Sequence, residues 1–139
     1  MAANISGDRG AQYPQYSILV VDDSPEQTEL ARTVLLRGGF KVHCANSANE
    51  ALQVAAANHL DLAILDIFLE DGCLGKDLMI NLRKTFPNLL VIFVSGLADG
   101  DELNEALGYP KTAFIKKPYR VADFLNSVES VLAGTQCQV

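Results

Sequence analysis

Three carboxylates, a hydroxyl and an ammonium each stand directly after an apolar run in this sequence. Asp22 and Asp23 follow Ile18-Leu19-Val20-Val21, Asp66 ends the run Asp61-Leu62-Ala63-Ile64-Leu65-Asp66, Ser95 follows Leu89 to Val94, and Lys117 follows Ala113-Phe114-Ile115-Lys116. Runs without a polar face suit strands covered on both sides in a parallel sheet. The polar residue at the end of such a strand emerges at the edge where open α/β sheets bind ligands, beside the point where strand order reverses. Taken singly, each residue has an ordinary explanation: an aspartate after a strand is a loop acid or a helix cap, a serine a turn residue, a lysine a solvated charge. Five of them along one sheet edge are a poor match for independent accidents.

Three carboxylates gathered there repel one another, and unit charges about 4 Å apart cost roughly 4 kcal/mol at an effective dielectric near 20. A positive charge must compensate. With no histidine or cysteine at this edge, a hard divalent cation such as Mg²⁺ suits the site, because it favours carboxylates, water and phosphate oxygens. Lys117 supplies a further positive charge, Ser95 can donate a hydrogen bond to a transferring phosphoryl group, and the central carboxylate, Asp66, can act as nucleophile and become an aspartyl phosphate. Phosphoryl acceptance is the chemistry these residue types support.

The elements that must position them read clearly. Ser24-Pro25-x-Gln27 starts a helix, with Ser as N-cap, Pro at the first helical position and Gln placed to reach back to the cap. Leu30, Ala31, Val34 and Leu35 form its apolar stripe, and Gly38-Gly39 ends it. Phe40 to Cys44 alternates apolar with polar, as a half-exposed edge strand does. Ser47-x-x-Glu50 is a second capping box, opening a helix with Ala48, Ala51, Leu52 and Ala55 on its inner face. Beyond the Asp66 strand come a loop with Gly72 and Gly75 and a helix of about ten residues carrying Leu78, Met79 and Leu82 inward, closed by Phe86-Pro87. Residues 99 to 107 form a weak acidic helix, expected to be the least stable. The last helix has Val121, Phe124, Leu125, Val128, Val131 and Leu132 at helical spacing. Five strands alternating with five helices give a single-domain α/β fold with a parallel sheet.

Composition bounds the rest. A chain of 139 residues, 49% hydrophobic and 20% charged, fits one domain with a full core. Its net charge of -6, from 17 acidic against 11 basic residues, argues against nucleic-acid or anionic-membrane binding. Cys44, Cys73 and Cys137 lack C-x-x-C spacing and read as reduced cytosolic thiols. His43 and His59 lack ligand spacing. With no leader pattern and no apolar run approaching the roughly 20 residues of a membrane span, a cytoplasmic protein is expected. Residues 1–16 read as a flexible N-terminal arm, 17–133 as the folded domain and 134–139 as a polar C-terminal tail.

Val20-Val21-Asp22-Asp23-Ser24, Leu65-Asp66-Ile67, Val94-Ser95-Gly96 and Lys117-Pro118 together resemble the signature of the response-regulator receiver domain of two-component signalling. Each motif is weak alone, but jointly and in this order they are specific, over roughly residues 17 to 133. The resemblance implies a doubly wound, flavodoxin-like sheet of strand order 2-1-3-4-5. It implies Asp66 as phosphoacceptor, Mg²⁺ held by Asp22, Asp23, Asp66 and the backbone carbonyl of Phe68, and Ser95 and Lys117 contacting the phosphoryl group. Ser95 and Phe114 would form the switch, and Lys117-Pro118 would be joined by a cis peptide. Such a domain is not an enzyme acting on other molecules: it catalyses only its own phosphorylation and dephosphorylation, through Asp66 and Lys117. Its partners would be a sensor histidine kinase or histidine phosphotransfer protein, and a downstream protein bound through a face spanning residues 99–125. The sequence departs from the family pattern after the acceptor: Glu70 takes a common proline position and Gly75 is displaced by one residue, so the loop from Phe68 to Gly75 is expected to be longer or differently shaped. Phe68 and Leu97, both apolar, flank the site and are expected to prolong the phosphorylated state.

Two other readings compete. A haloacid dehalogenase-type phosphatase also forms an aspartyl phosphate, but its first strand ends in Asp-x-Asp, whereas here the run is Asp22-Asp23-Ser24-Pro25. A degenerate receiver serving only as an interaction module is disfavoured by the presence of all five chemical positions. A stand-alone receiver and a fragment of a longer regulator both remain open.

Overall fold

The computed structural model describes residues 15–69, 72–96 and 100–136. Five strands, β1 (Ser17–Val21), β2 (Lys41–Ala45), β3 (Leu62–Asp66), β4 (Leu90–Ser95) and β5 (Thr112–Lys116), alternate with five helices. These are α1 (Pro25–Arg37), α2 (Ala48–Ala57), α3 (Gly75–Thr85), α4 (Asp101–Leu107) and α5 (Val121–Gln136). All neighbouring strands pair in parallel, in the order β2-β1-β3-β4-β5. The expected α/β fold, sheet order and edge position of β2 are thus present.

The pleat sends alternate residues of each strand to opposite faces. Leu19, Val21, Ala63, Leu65, Val91 and Phe93 meet α2, α3 and α4 on one face, through small residues such as Ala51 and Ala55 and larger ones such as Leu78, Met79 and Leu82. Ile18, Val20, Leu62, Ile64, Ile92 and Val94 meet α1 and α5 on the other, through Ala31, Leu35, Phe124, Val128 and Leu132. Since α1 and α2 lie on opposite faces, the strand order reverses between β1 and β3. Asp22 and Asp66 leave the sheet beside that point.

Several expectations need correction. Leu30 is 46% and Leu52 37% exposed, and neither belongs to the buried stripe of its helix. In α1 the stripe runs through Thr28, Ala31, Val34 and Leu35. Thr28 can be buried because its hydroxyl donates to the Pro25 carbonyl at 3.0 Å and accepts from Asn46 Nδ2 at 3.3 Å. In α2 only the alanines are buried, and Leu52 stands one residue, or about 100°, round the helix from Ala51. Val121 is 52% exposed, because it opens α5 before Phe124, the first residue that reaches the sheet. At the chain ends, α5 continues through residue 136, so the first three residues of the expected tail are helical. Gln15 and Tyr16 are tied to the β2 side: Gln15 Nε2 donates to the Gly39 carbonyl at 3.1 Å, and the Lys41 N–H donates to the Tyr16 carbonyl at 2.9 Å. The remainder of the arm, residues 1–14, and residues 137–139, Cys137 among them, lie outside the described residues.

Candidate functional site

β1, β3, β4 and β5 end at one edge, and there the side chains of Asp22, Asp66 and Lys117 meet. Asp22 N–H donates to the Ala45 carbonyl at 3.2 Å, so the first acid is held at the sheet rim by β2. Its Oδ1 accepts the Ser24 N–H at 2.9 Å, while Oδ2 takes the Lys117 ammonium at 2.8 Å. The capping box expected from Gln27 is therefore only half formed. Gln27 N–H donates to Ser24 Oγ, but the Ser24 N–H goes to Asp22 instead of to the Gln27 side chain.

Lys117 Nζ also lies 3.2 Å from Asp66 Oδ2, which joins residues 51 positions apart into one ion-paired set. Its backbone is fixed by donation from the Lys117 N–H to the Ser95 carbonyl at 2.8 Å, and the peptide to Pro118 is cis, as the motif implied. Burial alone would pull the ammonium down, but hydrogen bonds and charge from Asp22 and Asp66 outweigh that and hold it above the ordinary lysine range. The Asp66 carboxyl is pushed up: burial is the largest cause and Asp22 adds to it, and together they exceed the opposing pull of Lys117 and of the Phe68 N–H. Two carboxylates, Asp22 and Asp66, share the one ammonium that contacts them both.

That imbalance tests the fit of a divalent cation. Asp22, Asp23 and Asp66 offer only oxygen, the donor type a hard cation prefers, and the first and last of them share the Lys117 ammonium. Among the described residues, no three carboxylate, histidine or cysteine side chains already converge on one point, and Lys117 stands between Asp22 and Asp66. The chemistry of the donors fits such an ion.

Ser95 is buried, 5% exposed, at the end of β4 beside the Lys116 position of β5. Phe68 is 44% exposed near Asp66, whereas Phe114 is half-buried and packs against the α2–α4 side of the core. Leu97, Glu70 and Asp99 lie outside the described residues.

The loop after Asp66 resolves the question of the displaced glycine. Phe68 bridges Leu74, Leu69 N–H donates to the Cys73 carbonyl at 3.0 Å, and Leu69 itself is buried. The two strand-like stretches bring the chain straight back, and Gly75 N–H donates to the Ile67 carbonyl at 2.8 Å. A Cβ on Gly75 would stand 2.3 Å from the Asp66 carbonyl oxygen, so α3 can start against the acceptor strand only with glycine there. Cys73 in this loop directs its thiol to the Leu74 carbonyl at 3.5 Å.

One residue at the site was not singled out from the sequence. Tyr119 lines a small cavity of ≈ 10 Å³ together with Asp22, Asp66, Lys117, Gln27 and Phe124, under the ion-paired set. Its ring stacks on Phe124 with centroids 4.7 Å apart and planes at 14°. Its position directly after Lys117-Pro118 was the available signal.

The model of the response regulator receiver domain family matches residues 18–129. The chain is 30% identical over 105 residues to the nitrogen assimilation regulatory protein NtrX of Azorhizobium caulinodans, covering 75% of this chain and 23% of that one. It is 28% identical over 118 residues to the sensor kinase CckA of Brucella abortus, covering 84% of this chain and 12% of that one. Among solved structures, a CheY-like response regulator receiver domain protein from Methanospirillum hungatei superposes with a TM-score of 0.82 at 27% identity, covering 90% of this chain and 99% of the other. The chain spans about half the length, or less, of the curated relatives it matches.

Proposed function

The chain belongs to the response regulator receiver domain family, and on that premise we propose that it accepts a phosphoryl group on Asp66 from a histidine kinase or histidine phosphotransfer protein and thereby switches a partner-binding face. The observation that carries this reading is the position of Lys117 Nζ, 2.8 Å from Asp22 and 3.2 Å from Asp66 at the C-terminal edge of the sheet.

In the proposed step an Asp66 carboxylate oxygen forms a bond to phosphorus while the donor's bond to phosphorus breaks, and its electrons leave with the donor group, which takes up a proton if it is an imidazole. Lys117 stabilises the charge that gathers on the equatorial oxygens, and the Ser95 hydroxyl donates to one of them. Asp22, Asp23, Asp66 and the Phe68 carbonyl would hold Mg²⁺, which when bound supplies charge neutralisation at the phosphoryl oxygens. The exposed Phe68 ring, with Leu97, excludes attacking water and prolongs the phosphorylated state; polar residues at both positions should shorten it. Ser95 and Phe114 pass the change to α4, β5 and the start of α5, residues 99–125, where a downstream protein binds. Phosphotransfer to and from itself, with no turnover of outside substrates, and a cytoplasmic location belong to the same reading. Whether this receiver acts alone or within a longer regulator, its own chemistry is the same.

The test is incubation with labelled acetyl phosphate in Mg²⁺ and in EDTA. Label retained only with Mg²⁺, labile to alkali and absent from Asp66→Asn, is the expected result. Steady hydrolysis of small phosphate esters, or no label on a folded protein, would replace this reading with the phosphatase or the interaction module.

A further inference from the structure

A lysine is a compact charge on a flexible four-carbon stem, so two carboxylates alone do not determine where its head resides. Freezing such a side chain costs rotamer entropy, and something along the stem must confine it. At this site the backbone end is fixed by the bond from the Lys117 N–H to the Ser95 carbonyl. Lys117 lines a cavity of ≈ 10 Å³, close to the least that admits a water molecule, and Tyr119 lines it too.

That ring is held from behind. Phe124 is 1% exposed in the α1/α5 core, and its face lies 4.7 Å from the Tyr119 ring and nearly parallel to it. Phe124 N–H donates to the Arg120 carbonyl at 2.9 Å, which fixes the first turn of α5. A stack of two rings thus runs from the buried helix to the wall of the cavity that Lys117, Asp22 and Asp66 also line. Burial, with Asp22 adding to it against Lys117, raises the Tyr119 phenol, as expected for a ring within the field of both groups.

We propose that Tyr119 is a positioning residue for phosphoryl transfer: its ring, backed by Phe124, walls the Lys117 stem and keeps the ammonium between Asp22 and Asp66. The transfer part of this statement rests on the function proposed above, whereas the ordering of Lys117 does not. The ring, not the hydroxyl, does the confining.

Two readouts on the full chain test it. The first is the ¹⁵N signal of the Lys117 ammonium, visible only while its protons exchange slowly. It should be present in the wild type and in Tyr119→Phe, and lost in Tyr119→Leu, which keeps apolar bulk but not the flat wall. The second is the rate of label uptake from acetyl phosphate with Mg²⁺, which should fall about tenfold in Tyr119→Leu, as small misplacements of a catalytic group do, and be restored in Tyr119→Phe. Phe124→Leu, which removes only the backing, should give an intermediate loss in both. A Lys117 signal unchanged in a folded Tyr119→Leu protein overturns the proposal, as does equal loss in Tyr119→Phe. If the wild type takes no label, the functional reading falls, and the ammonium signal alone still decides whether the ring orders the lysine.

Discussion

At the scale of single residues, the site combines opposite demands. Asp66 is only 18% exposed in its side chain, and burial together with the Asp22 charge makes its ionised form unwelcome in spite of Lys117. A carboxyl raised on folding is more readily ionised in the unfolded chain, so above its folded-state pKa it subtracts from stability and the loss is relieved as pH falls through that pKa. Asp66→Asn should therefore unfold at a higher urea concentration than the wild type at neutral pH in EDTA. An equal or lower midpoint would mean that Lys117 already balances the pocket. Gly75 makes the complementary prediction. A methyl group there meets backbone, not a movable side chain, so Gly75→Ala should cost about 1–3 kcal/mol in urea unfolding. An unchanged midpoint would contradict the close seating of α3 on the acceptor strand.

At the scale of elements, what was legible in the sequence followed from periodicity, and what was missed followed from contacts that periodicity does not encode. The apolar runs before Asp22, Asp66, Ser95 and Lys117 identified β1, β3, β4 and β5, because strands buried on both faces have no polar positions to blur the pattern. Phe124, Val128 and Leu132 were equally readable in α5. Leu30 and Leu52 misled, because hydrophobicity at the margin of a stripe says nothing about where the sheet lies, while buried Thr28 was hidden by its hydroxyl. The half-formed capping box of Ser24 and Gln27 could not be foreseen, since Asp22 competes for the same N–H. Two elements yield predictions. In α4 the N-cap, Gly100, has φ 130 and supplies no side-chain bond, and Leu103 and Ala106 are the buried residues of a seven-residue helix tied to α3 by Lys76 and Glu105 at 3.0 Å. Its amides should exchange fastest among the five helices and change on adding beryllofluoride with Mg²⁺; protection equal to that of α5 and insensitive to the mimic would refute this. On β2, burial first and then Lys41 lower the His43 pKa from 6.5. The unfolded chain then binds a proton more readily, so stability should fall as pH drops below about 6.5, and less so in His43→Gln. Parallel pH profiles of urea midpoints for the two proteins would contradict that.

At the scale of the whole molecule, the two-faced wrapping of the sheet is what turns scattered residues into a site. α1 and α2 lie on opposite faces, the order reverses between β1 and β3, and the acids that end those strands share one ammonium delivered by β5. The strand-end places of Asp22, Asp66, Ser95 and Lys117 and the sheet order were accessible from sequence because apolar runs mark the strands; the place of Tyr119 was not, because it lies in a stack on Phe124 formed only when α5 packs. The most direct measurement of the central claim is borohydride trapping after exposure to acetyl phosphate and Mg²⁺, followed by peptide mapping. Reduction of an aspartyl phosphate yields homoserine, and the account predicts it at position 66 alone, dependent on Mg²⁺ and strongly diminished in Lys117→Ala. Homoserine at another aspartate, or none at all in a protein shown to be folded, would contradict it.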